Sequence, residues 1–429
     1  MNFLDELTWR GMLHQTAGQG VQTHLEQPGR VAYCGFDPTA DSLTVGNFIA
    51  IRMLMLWQRS GHKPIVVMGG GTGRIGDPSG RDTERQLLDD ATIDSNIARQ
   101  RLILERLLDF DPANPNAAVI VNNHDWLGEL GYIEVLRDVG KHFSVNAMIK
   151  KDSVADRLNN REQGISYTEF SYMLLQAYDF LHLNRTHNCT VQVAGSDQYG
   201  NIVGGMDLIR RHRGEGDDGA AFGITNKLLT LADGQKVGKS AGNAVWLSAD
   251  RTSPYAFYQY WFNVDDADVL KFLRWFTFLD QPTVEGIDAE HLEAPHKRIA
   301  QRALAREMTA LLHGADALAA VESANEALFG GDVTALDAQM LDEVFADVPN
   351  SEHARSLLGG EQASLVELLP LTSLASSKRQ AREFLQNGAV SLNGERVDVD
   401  RVVSVDDLLH DRTVLVRRGK KNWHALRWS

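Results

Sequence analysis

A regular alternation of short apolar runs and helix-like segments in the first half of the chain constrains the fold more than any other feature. Four runs are predicted as strands, at residues 31–35, 64–68, 117–121 and 190–194. Segments with helical spacing lie beside them, at residues 43–59, 92–110 and 168–180. The second run is continuously apolar, as expected of a strand buried on both faces of a parallel sheet. The alternation therefore predicts an α/β domain built around a parallel sheet.

The remainder of the chain changes character twice. Residues 253–313 carry apolar side chains at helical spacing, which predicts a helical region. Residues 325–360 are acidic, less periodic and contain two Gly-Gly pairs, features typical of a linker. From Ser376 the sequence has a basic helix, a turn at Asn393-Gly394 and short β-like runs, and no acidic residue follows Thr413. The end of the chain is therefore predicted to form a separate small domain with a basic surface.

Composition places the chain among ordinary globular proteins. It has 429 residues, of which 43% are hydrophobic and 23% charged, and no apolar run approaches the length of about 20 residues that a membrane span needs. Because the first ten residues include Asp5 and Glu6 and lack a signal pattern, we expect a cytosolic protein. Cys34 and Cys189 lie far apart and outside any metal-ligand spacing, so we expect neither a disulfide framework nor a zinc site. The net charge of −14 means that an RNA partner would need a local basic patch.

A glycine-rich segment, Gly71-Thr72-Gly73-Arg74-Ile75-Gly76, follows a predicted strand and matches the G-x-G-x-x-G pattern of dinucleotide-binding proteins. In those proteins the pattern leads directly into a helix. Here a polar, turn-rich segment that begins at Asp77-Pro78 follows instead. The context therefore argues against an NAD-dependent oxidoreductase. We expect the glycines to let the backbone approach a bound small molecule closely.

Two other segments have the composition of a phosphate site. Residues 36–47 form a strand end, a turn and a helix start, where backbone N–H groups and the helix dipole favour a polyphosphate. Thr39 and Thr44 could donate hydroxyl hydrogen bonds there; the alternative is an ordinary helix start capped by Asp41 or Ser42. The segment Lys236-Val237-Gly238-Lys239-Ser240 could form a flexible cationic clamp on phosphate, and its alternative is a solvated basic turn.

Together these two segments resemble the signature helix start and the KMSKS-like signature loop of class I aminoacyl-tRNA synthetases. Further segments resemble the bacterial tyrosyl-tRNA synthetase family and occur in its order and spacing, at residues 33–40, 76–78, 164–172 and 195–198. The resemblance extends from about Arg30 to the C-terminus. It implies a Rossmann-like catalytic domain, ATP and L-tyrosine as substrates, and tRNA(Tyr) as the acceptor of tyrosine.

The resemblance also implies roles for individual residues. The tyrosine site would contain Tyr33, Asp37, Asp77, Tyr172, Gln176, Asp179, Gln192 and Gln198. The ATP site would contain Gly35, Gly46, Gly195, Asp197 and Lys239, and catalysis would depend on Thr39, Thr44, Asn47, Lys236, Lys239 and Ser240. Within the tyrosine site, Tyr33 and Asp179 would bind the phenol, and the ammonium group would lie near Asp77, Tyr172 and Gln176. Mg²⁺ would accompany ATP, without a prosthetic group or a dedicated metal site on the protein.

Helical spacing supports part of this site independently of the resemblance. Tyr172, Gln176 and Asp179 are four and three residues apart, which places them on one face of a helix. A buried carboxylate and a phenol suit a substrate hydroxyl, because phenylalanine would leave both of them unpaired. The alternative is a partly buried polar face held by structural hydrogen bonds.

The chain departs from the family pattern at the signature helix start. The family usually has His-x-Gly-His or His-x-Gly-Asn, whereas this chain has Thr44-Val45-Gly46-Asn47. Asn47 can replace histidine as a hydrogen-bond donor, but Thr44 is shorter than imidazole and cannot carry a positive charge. We therefore expect slower activation of the amino acid, or a contact from Thr44 through a bridging water.

The resulting prediction divides the chain into four segments: a Rossmann-like catalytic domain with a dimer-forming insertion (1–222), the signature loop and an α-helical domain (223–325), a linker (326–362) and a small α+β S4-like RNA-binding domain (363–429). The resemblance also implies a homodimer with residues 140–143 near the interface. Two alternatives stay open. One is a paralogue that makes tyrosyl-adenylate for a biosynthetic pathway, and the other is a non-catalytic RNA-binding protein on the same scaffold.

Overall fold

The structure is a computed structural model that describes most of the chain in two compact units. The described residues are 2–78, 88–151, 154–155, 158, 164–213, 221–234, 237–240, 243–328, 332–346, 348–419 and 422–429. For Lys239, Ser240 and Asn243 only the backbone is described. The first unit contains residues 1–252 and 260–308, and the second contains residues 253–259 and 309–429.

The first unit is built on a six-stranded sheet. Its strands are β1 (Leu13–Ala17), β2 (Val31–Phe36), β3 (Lys63–Met68), β4 (Val119–Asn122), β5 (Cys189–Gly195) and β6 (Phe222–Asn226). Their order in space is β1-β6-β5-β2-β3-β4, with β1 antiparallel to β6 and the other neighbours parallel. The order reverses between β2 and β5, since β3 and β4 lie on one side of β2 and β5 and β6 on the other. The predicted α/β fold with a parallel sheet is confirmed, whereas β1 and β6 were not predicted.

Helices connect and flank these strands. They are α1 (Phe3–Trp9), α2 (Val21–Leu25), α3 (Val45–Arg59), α4 (Asp90–Leu107), α5 (His124–Leu127), α6 (Tyr132–Glu134), α7 (Val145–Met148), α8 (Tyr167–His187) and α9 (Tyr199–Arg213). The three predicted helices correspond to α3, α4 and α8. Helix α8 begins after Ser166, whose side chain accepts a hydrogen bond from the Glu169 N–H, and it continues past the predicted end at residue 180. It ends where Asn188 adopts a left-handed conformation (φ 52°), a common helix stop.

The predicted helical region is also confirmed. It contains α10 (Pro254–Phe262), α11 (Asp266–Phe276), α12 (Gln281–Glu293) and α13 (Ile299–His313). A two-stranded hairpin of β7 (Lys239–Ser240) and β8 (Asn243–Ala244) precedes it. Among the described helices, none is long and apolar enough to cross a membrane.

The second unit has a small sheet with helices packed against it. Its helices after α13 are α14 (Ala315–Leu328), α15 (Ala338–Val344), α16 (Leu365–Leu368) and α17 (Lys378–Gln386), and its strands are β9 (Asn350–His353), β10 (Val390–Leu392), β11 (Glu395–Arg396), β12 (Thr413–Arg418) and β13 (Asn422–Trp428). The strand order is β11-β10-β12-β13-β9. Asn393 and Gly394 both have positive φ (47° and 94°) in the turn between β10 and β11, as a tight hairpin requires. The predicted turn is therefore confirmed.

The structure corrects the predicted linker at one point. Strand β9 falls inside residues 326–362, yet it pairs in parallel with β13, the last strand of the chain. The sequence of this edge strand, Asn-Ser-Glu-His, has no alternation of apolar residues that would predict a strand. The strand forms because it pairs with a segment far away in the chain. Residues 350–353 are therefore part of the C-terminal sheet.

The two cysteines are buried free thiols on β2 and β5. Burial raises the pKa of Cys34 to about 12 and also raises the pKa of Cys189, so both are protonated.

Candidate functional site

A cavity of about 630 Å³ lies at the carboxyl ends of β2 and β5. The strand order of the sheet reverses between β2 and β5. In open α/β sheets, ligands usually bind at the carboxyl ends of the strands where the order reverses. The lining includes the whole predicted tyrosine set: Tyr33, Asp37, Asp77, Tyr172, Gln176, Asp179, Gln192 and Gln198. It also includes members of the predicted ATP and catalytic sets: Gly35, Thr39, Thr44, Gly46, Asn47, Gly195 and Asp197. Lys236 lies outside the described residues, and the side chains of Lys239 and Ser240 are not described.

Asp179 is a buried carboxylate that accepts two hydrogen bonds. It is 4% exposed and lies on α8. Asn123 Nδ2 donates to its Oδ2 at 3.0 Å, and Trp126 Nε1 donates to its Oδ1 at 2.8 Å. Burial raises the pKa of Asp179 to about 7, although both donors oppose this shift. Since each carboxylate oxygen can accept more than one hydrogen bond, Asp179 can still accept one from a ligand hydroxyl.

Two polar atoms near Asp179 have no hydrogen-bond partner among the described residues. The first is the hydroxyl of Tyr33, which is 1% exposed. Burial raises the pKa of Tyr33, and the charge of Asp179 raises it further, so the phenol keeps its proton. The second is Oε1 of Gln192, which lies beside Tyr33 in the register of β2 and β5. Because an unpaired buried polar atom costs roughly 1–3 kcal/mol, a polar ligand that satisfied these atoms would gain affinity.

A hydrogen-bond network joins the ends of three neighbouring strands to α8. Asp37, which follows β2, accepts from Thr72 Oγ1 at 2.7 Å and from Tyr172 Oη at 3.1 Å. Thr72 follows β3, and its Oγ1 accepts from Asn123 Nδ2 at 2.9 Å, just after β4. Burial raises the pKa of Tyr172, as do the nearby carboxylates of Asp37 and Asp77. The network fixes the orientation of the Asp37 and Tyr172 side chains.

A second set of polar contacts lies on the side of α9. Gln198 Nε2 donates to Asp77 Oδ2 at 2.8 Å, and Asn201 Nδ2 donates to Gln176 Oε1 at 3.0 Å and to Gln198 Oε1 at 3.2 Å. The cavity thus has four carboxylates, because Asp37, Asp77, Asp179 and Asp197 all line it, while no described lining residue is basic. This charge distribution favours an ammonium group over a phosphate in the inner part of the cavity.

Thr44 and Asn47 are engaged with each other at the start of α3. Asn47 Oδ1 accepts two hydrogen bonds from Thr44: one from Thr44 Oγ1 at 2.7 Å and one from the Thr44 N–H at 3.0 Å. The Asn47 N–H in turn approaches Thr44 Oγ1 at 3.4 Å, which completes a capping box. The proposed caps Asp41 and Ser42 are therefore wrong, and Thr44 is the N-cap. Thr44, which stands where the resembled family usually has histidine, therefore stabilises the start of α3 in this chain.

The signature loop touches this helix start through its backbone. Gly238 has φ +93°, and a Cβ added to it would lie 3.3 Å from the Gly46 N atom and 3.6 Å from Val45 Cβ. Its N–H donates to the Tyr260 hydroxyl at 3.1 Å, and its carbonyl accepts from the Val245 N–H at 2.8 Å. The two segments that suggested a phosphate site are therefore neighbours in the structure.

The glycines that follow β3 lie close to side chains of neighbouring segments. A Cβ on Gly69 would lie 2.1 Å from Asp37 Oδ1, and one on Gly70 would lie 2.2 Å from Asn122 Oδ1. A Cβ on Gly73 would lie 2.9 Å from Pro38 Cδ. Protein side chains thus occupy the space beside these glycines. The missing side chains of Gly69 and Gly70 therefore let Asp37 and Asn122 approach the β3 loop.

Several residues of the cavity were not predicted. They are Thr72, Gln100, Asn123, Asn226, Leu228, Leu229 and Trp246. Asn123 could have been found from its position, since it is a polar residue directly after a strand at the same edge of the sheet as Asp37. The others carry no recognisable signal in the sequence.

Comparison with known proteins identifies the family. The family described as tRNA synthetases class I (W and Y) matches residues 27–330, more than half of the chain. The chain belongs to this class I tRNA synthetase family. The SYY-like C-terminal domain of tyrosine–tRNA ligases matches residues 340–426.

Individual members of this class I tRNA synthetase family are similar over the whole length. The tyrosine–tRNA ligases of Bacillus caldotenax and Geobacillus kaustophilus are each 48% identical over 431 residues, which covers 100% of both chains. A crystal structure of a C-terminally truncated mitochondrial tyrosyl-tRNA synthetase from Aspergillus nidulans has a TM-score of 0.67 and 30% identity, and covers 76% of this chain and 94% of that one. The predicted family resemblance and fold class are confirmed, and a dinucleotide-binding oxidoreductase is excluded.

Proposed function

We propose that this class I tRNA synthetase is a tyrosine–tRNA ligase. It activates L-tyrosine with ATP to form tyrosyl-adenylate, and it then transfers tyrosine to the 3′-terminal ribose of tRNA(Tyr). The observation that carries the proposal is that one cavity holds a buried carboxylate and a phenol together with the start of α3. Full-length similarity to proteins named tyrosine–tRNA ligase supports it. Neither the biosynthetic paralogue nor the non-catalytic RNA-binding protein is favoured by any observation.

Recognition of tyrosine rests on its two polar ends. The substrate phenol donates to Asp179 and meets the hydroxyl of Tyr33, which has no hydrogen-bond partner in the described part of the chain. Both contacts support a preference for tyrosine over phenylalanine. The ammonium group lies among Asp77, Tyr172 and Gln176, where the carboxylate-rich lining stabilises a positive charge. Hydrogen bonds from neighbouring side chains hold these groups before the substrate arrives, and such preorganisation lowers the cost of binding.

Activation requires no protein nucleophile. The tyrosine carboxylate attacks the α-phosphate of ATP, the bond between the α- and β-phosphates breaks, and pyrophosphate leaves. The protein positions the reactants and stabilises developing charge. Since no described lining residue is basic, the cations for the phosphates come from the signature loop, with Lys236 and Lys239 as proposed donors, and from Mg²⁺ that enters with ATP.

The C-terminal unit is the proposed contact for tRNA. Arg379 and Arg382 are exposed on α17, and Arg417 and Arg418 lie at the end of β12. These cations supply the local basic patch that an acidic chain needs to bind RNA, and the affinity should fall as salt concentration rises.

A homodimer is part of the proposal. Tyr132 and Ile133 are 63% and 72% exposed, and Val145 is 60% exposed. These apolar side chains flank residues 140–143, the segment expected near the interface. Large exposed apolar side chains close together in the sequence are compatible with a protein–protein contact. The double variant Ile133→Asp, Val145→Asp should be monomeric by light scattering, and a protein that stays dimeric would exclude this surface.

The proposed site of action is the cytoplasm, where aminoacyl-tRNA is used. The two free buried thiols are compatible with a reducing compartment.

The proposed function is tested by exchange of labelled pyrophosphate into ATP with tyrosine, phenylalanine or tryptophan, followed by charging of tRNA(Tyr). Exchange should depend on tyrosine, and the tRNA should then become charged. Exchange with tryptophan alone would refute the substrate, and exchange without charging would support the biosynthetic alternative.

A further inference from the structure

A buried amide oxygen that tyrosine recognition does not use lies in the same cavity. Asn226 ends β6, is 4% exposed and lines the cavity. Its Nδ2 donates to the Lys227 carbonyl at 2.8 Å, which identifies the other end of the amide as the acceptor Oδ1. Oδ1 is buried and has no hydrogen-bond partner among the described residues. A buried acceptor in a ligand cavity is satisfied most simply by a donor on the ligand.

The register of the sheet places Asn226 away from the phenol site. Asn226 pairs with Gly195 on β5, whereas Tyr33 pairs with Gln192, three residues earlier on the same strand. Since a parallel strand rises about 3.3 Å per residue, Asn226 lies about 10 Å farther towards the carboxyl edge of the sheet. It therefore lies beside Gly195, which belongs to the ATP site in the proposed function.

Apolar side chains next to Asn226 form a surface for a flat ring. Leu228 and Leu229 both line the cavity, and Leu228 is 54% exposed. Leu228 Cδ2 lies 3.8 Å from the position that a Cβ on Gly195 would take, so its side chain extends over that glycine. A purine base that covered Leu228 would bury this exposed apolar surface and bring its polar edge towards Asn226.

We propose that Asn226 Oδ1 accepts a hydrogen bond from the exocyclic amino group of adenine and thereby selects ATP over GTP. This inference rests on the proposed function, because it concerns the nucleotide of the activation step. The 6-amino group of adenine donates to Oδ1. The 6-oxo group of guanine would instead face Oδ1 as a second acceptor, so discrimination includes a repulsive element as well as a lost hydrogen bond.

The test combines a protein variant with a nucleotide variant. Tyrosine-dependent pyrophosphate exchange is measured with ATP, with GTP and with purine riboside triphosphate, which lacks the 6-amino group. The proteins are the wild type, Asn226→Leu and Asn226→Ala. The matched control is Asn184→Leu, because Asn184 is also a buried asparagine whose Nδ2 donates to a backbone carbonyl, that of Cys189, but it does not line the cavity.

The wild type and Asn184→Leu should prefer ATP over the 6-unsubstituted analogue by about 2- to 10-fold in kcat/KM, the range expected for one neutral hydrogen bond. Both Asn226 variants should lose this preference through a higher KM for ATP, while their Kd for tyrosine stays unchanged. A wild type that uses ATP and the analogue equally overturns the inference, whatever the stability of the variants. So does an Asn226 variant that retains the preference. If the wild type shows no tyrosine-dependent exchange at all, the proposed function itself fails.

Discussion

The charge state of Asp179 gives the sharpest quantitative prediction. Replacement by asparagine keeps the size of the side chain but removes the titratable group. In the wild type both carboxylate oxygens accept hydrogen bonds, from Asn123 and Trp126. In Asp179→Asn the amide nitrogen must face one of these two donors, which costs roughly 1–3 kcal/mol at every pH.

The pH dependence follows from the raised pKa of Asp179. An ordinary aspartate has a pKa of 3.8, and burial raises the pKa of Asp179 to about 7 in the folded protein. Between these values the folded state holds a proton that the unfolded state has released. The free energy of unfolding therefore falls as pH rises through this window and is constant above it. Each unit of pKa difference between the folded and unfolded states changes the free energy of unfolding by about 1.36 kcal/mol. The total loss of stability across this window is therefore about 4 kcal/mol.

Denaturant unfolding of both proteins at pH 4 and pH 8 isolates this contribution. Other titrating groups affect both proteins equally. Between pH 4 and pH 8, the free energy of unfolding should therefore fall by about 4 kcal/mol more in the wild type than in Asp179→Asn. Calorimetry at pH 8 provides a second measurement, since the variant should bind tyrosine roughly 10- to 100-fold more weakly after the loss of a charged acceptor. Identical pH dependence in the two proteins would refute the assignment of a raised pKa to Asp179.

Three further predictions concern other parts of the cavity. Trp126→Phe should weaken tyrosine binding several-fold, because Asp179 loses a donor that fixes its orientation; unchanged affinity by calorimetry would exclude this role. Thr44→His should speed adenylate formation because it restores the residue that is usual in the family. It should also lower the unfolding midpoint, because it breaks the cap with Asn47, which is worth about 1 kcal/mol. A slower single-turnover rate would contradict the predicted gain in adenylate formation. Gly238→Val should slow adenylate formation at least about tenfold and leave tyrosine affinity unchanged. The φ of +93° at Gly238 and its contact with α3 exclude a side chain. A normal rate would show that this contact is not needed.

The sequence predicted the site best where local periodicity determines position. Tyr172, Gln176 and Asp179 were placed on one helix face from their spacing, and all three line the cavity on α8. The strands before Asp37 and Gly195 were predicted from their apolar composition, which is typical of buried parallel strands. The site roles of these two residues came from the family resemblance.

Interactions between distant segments were beyond such reasoning. Asn123 and Trp126 bind Asp179 across more than 50 residues of sequence, and nothing local to either segment reveals the partner. The close approach of Asp37 to Gly69 and of Asn122 to Gly70 was missed for the same reason, since these side chains come from segments distant in the sequence.

The missed strands show the limits of pattern alone. β1 reads Leu-His-Gln-Thr-Ala and β6 contains Gly223 and ends in Asn226, so neither resembles a continuous apolar run. Their pairing with each other and with β5 supplies what the local sequence lacks.

The central claim is that one cavity holds tyrosine at its inner end and the nucleotide at its mouth. A crystal structure with a non-hydrolysable tyrosyl-adenylate analogue tests it most directly. The phenol oxygen should lie within hydrogen-bond distance of Asp179 and Tyr33, with the ribose beside Gly195 and Asp197. An analogue bound elsewhere, or bound here with its nucleotide next to Asp179, would contradict the account.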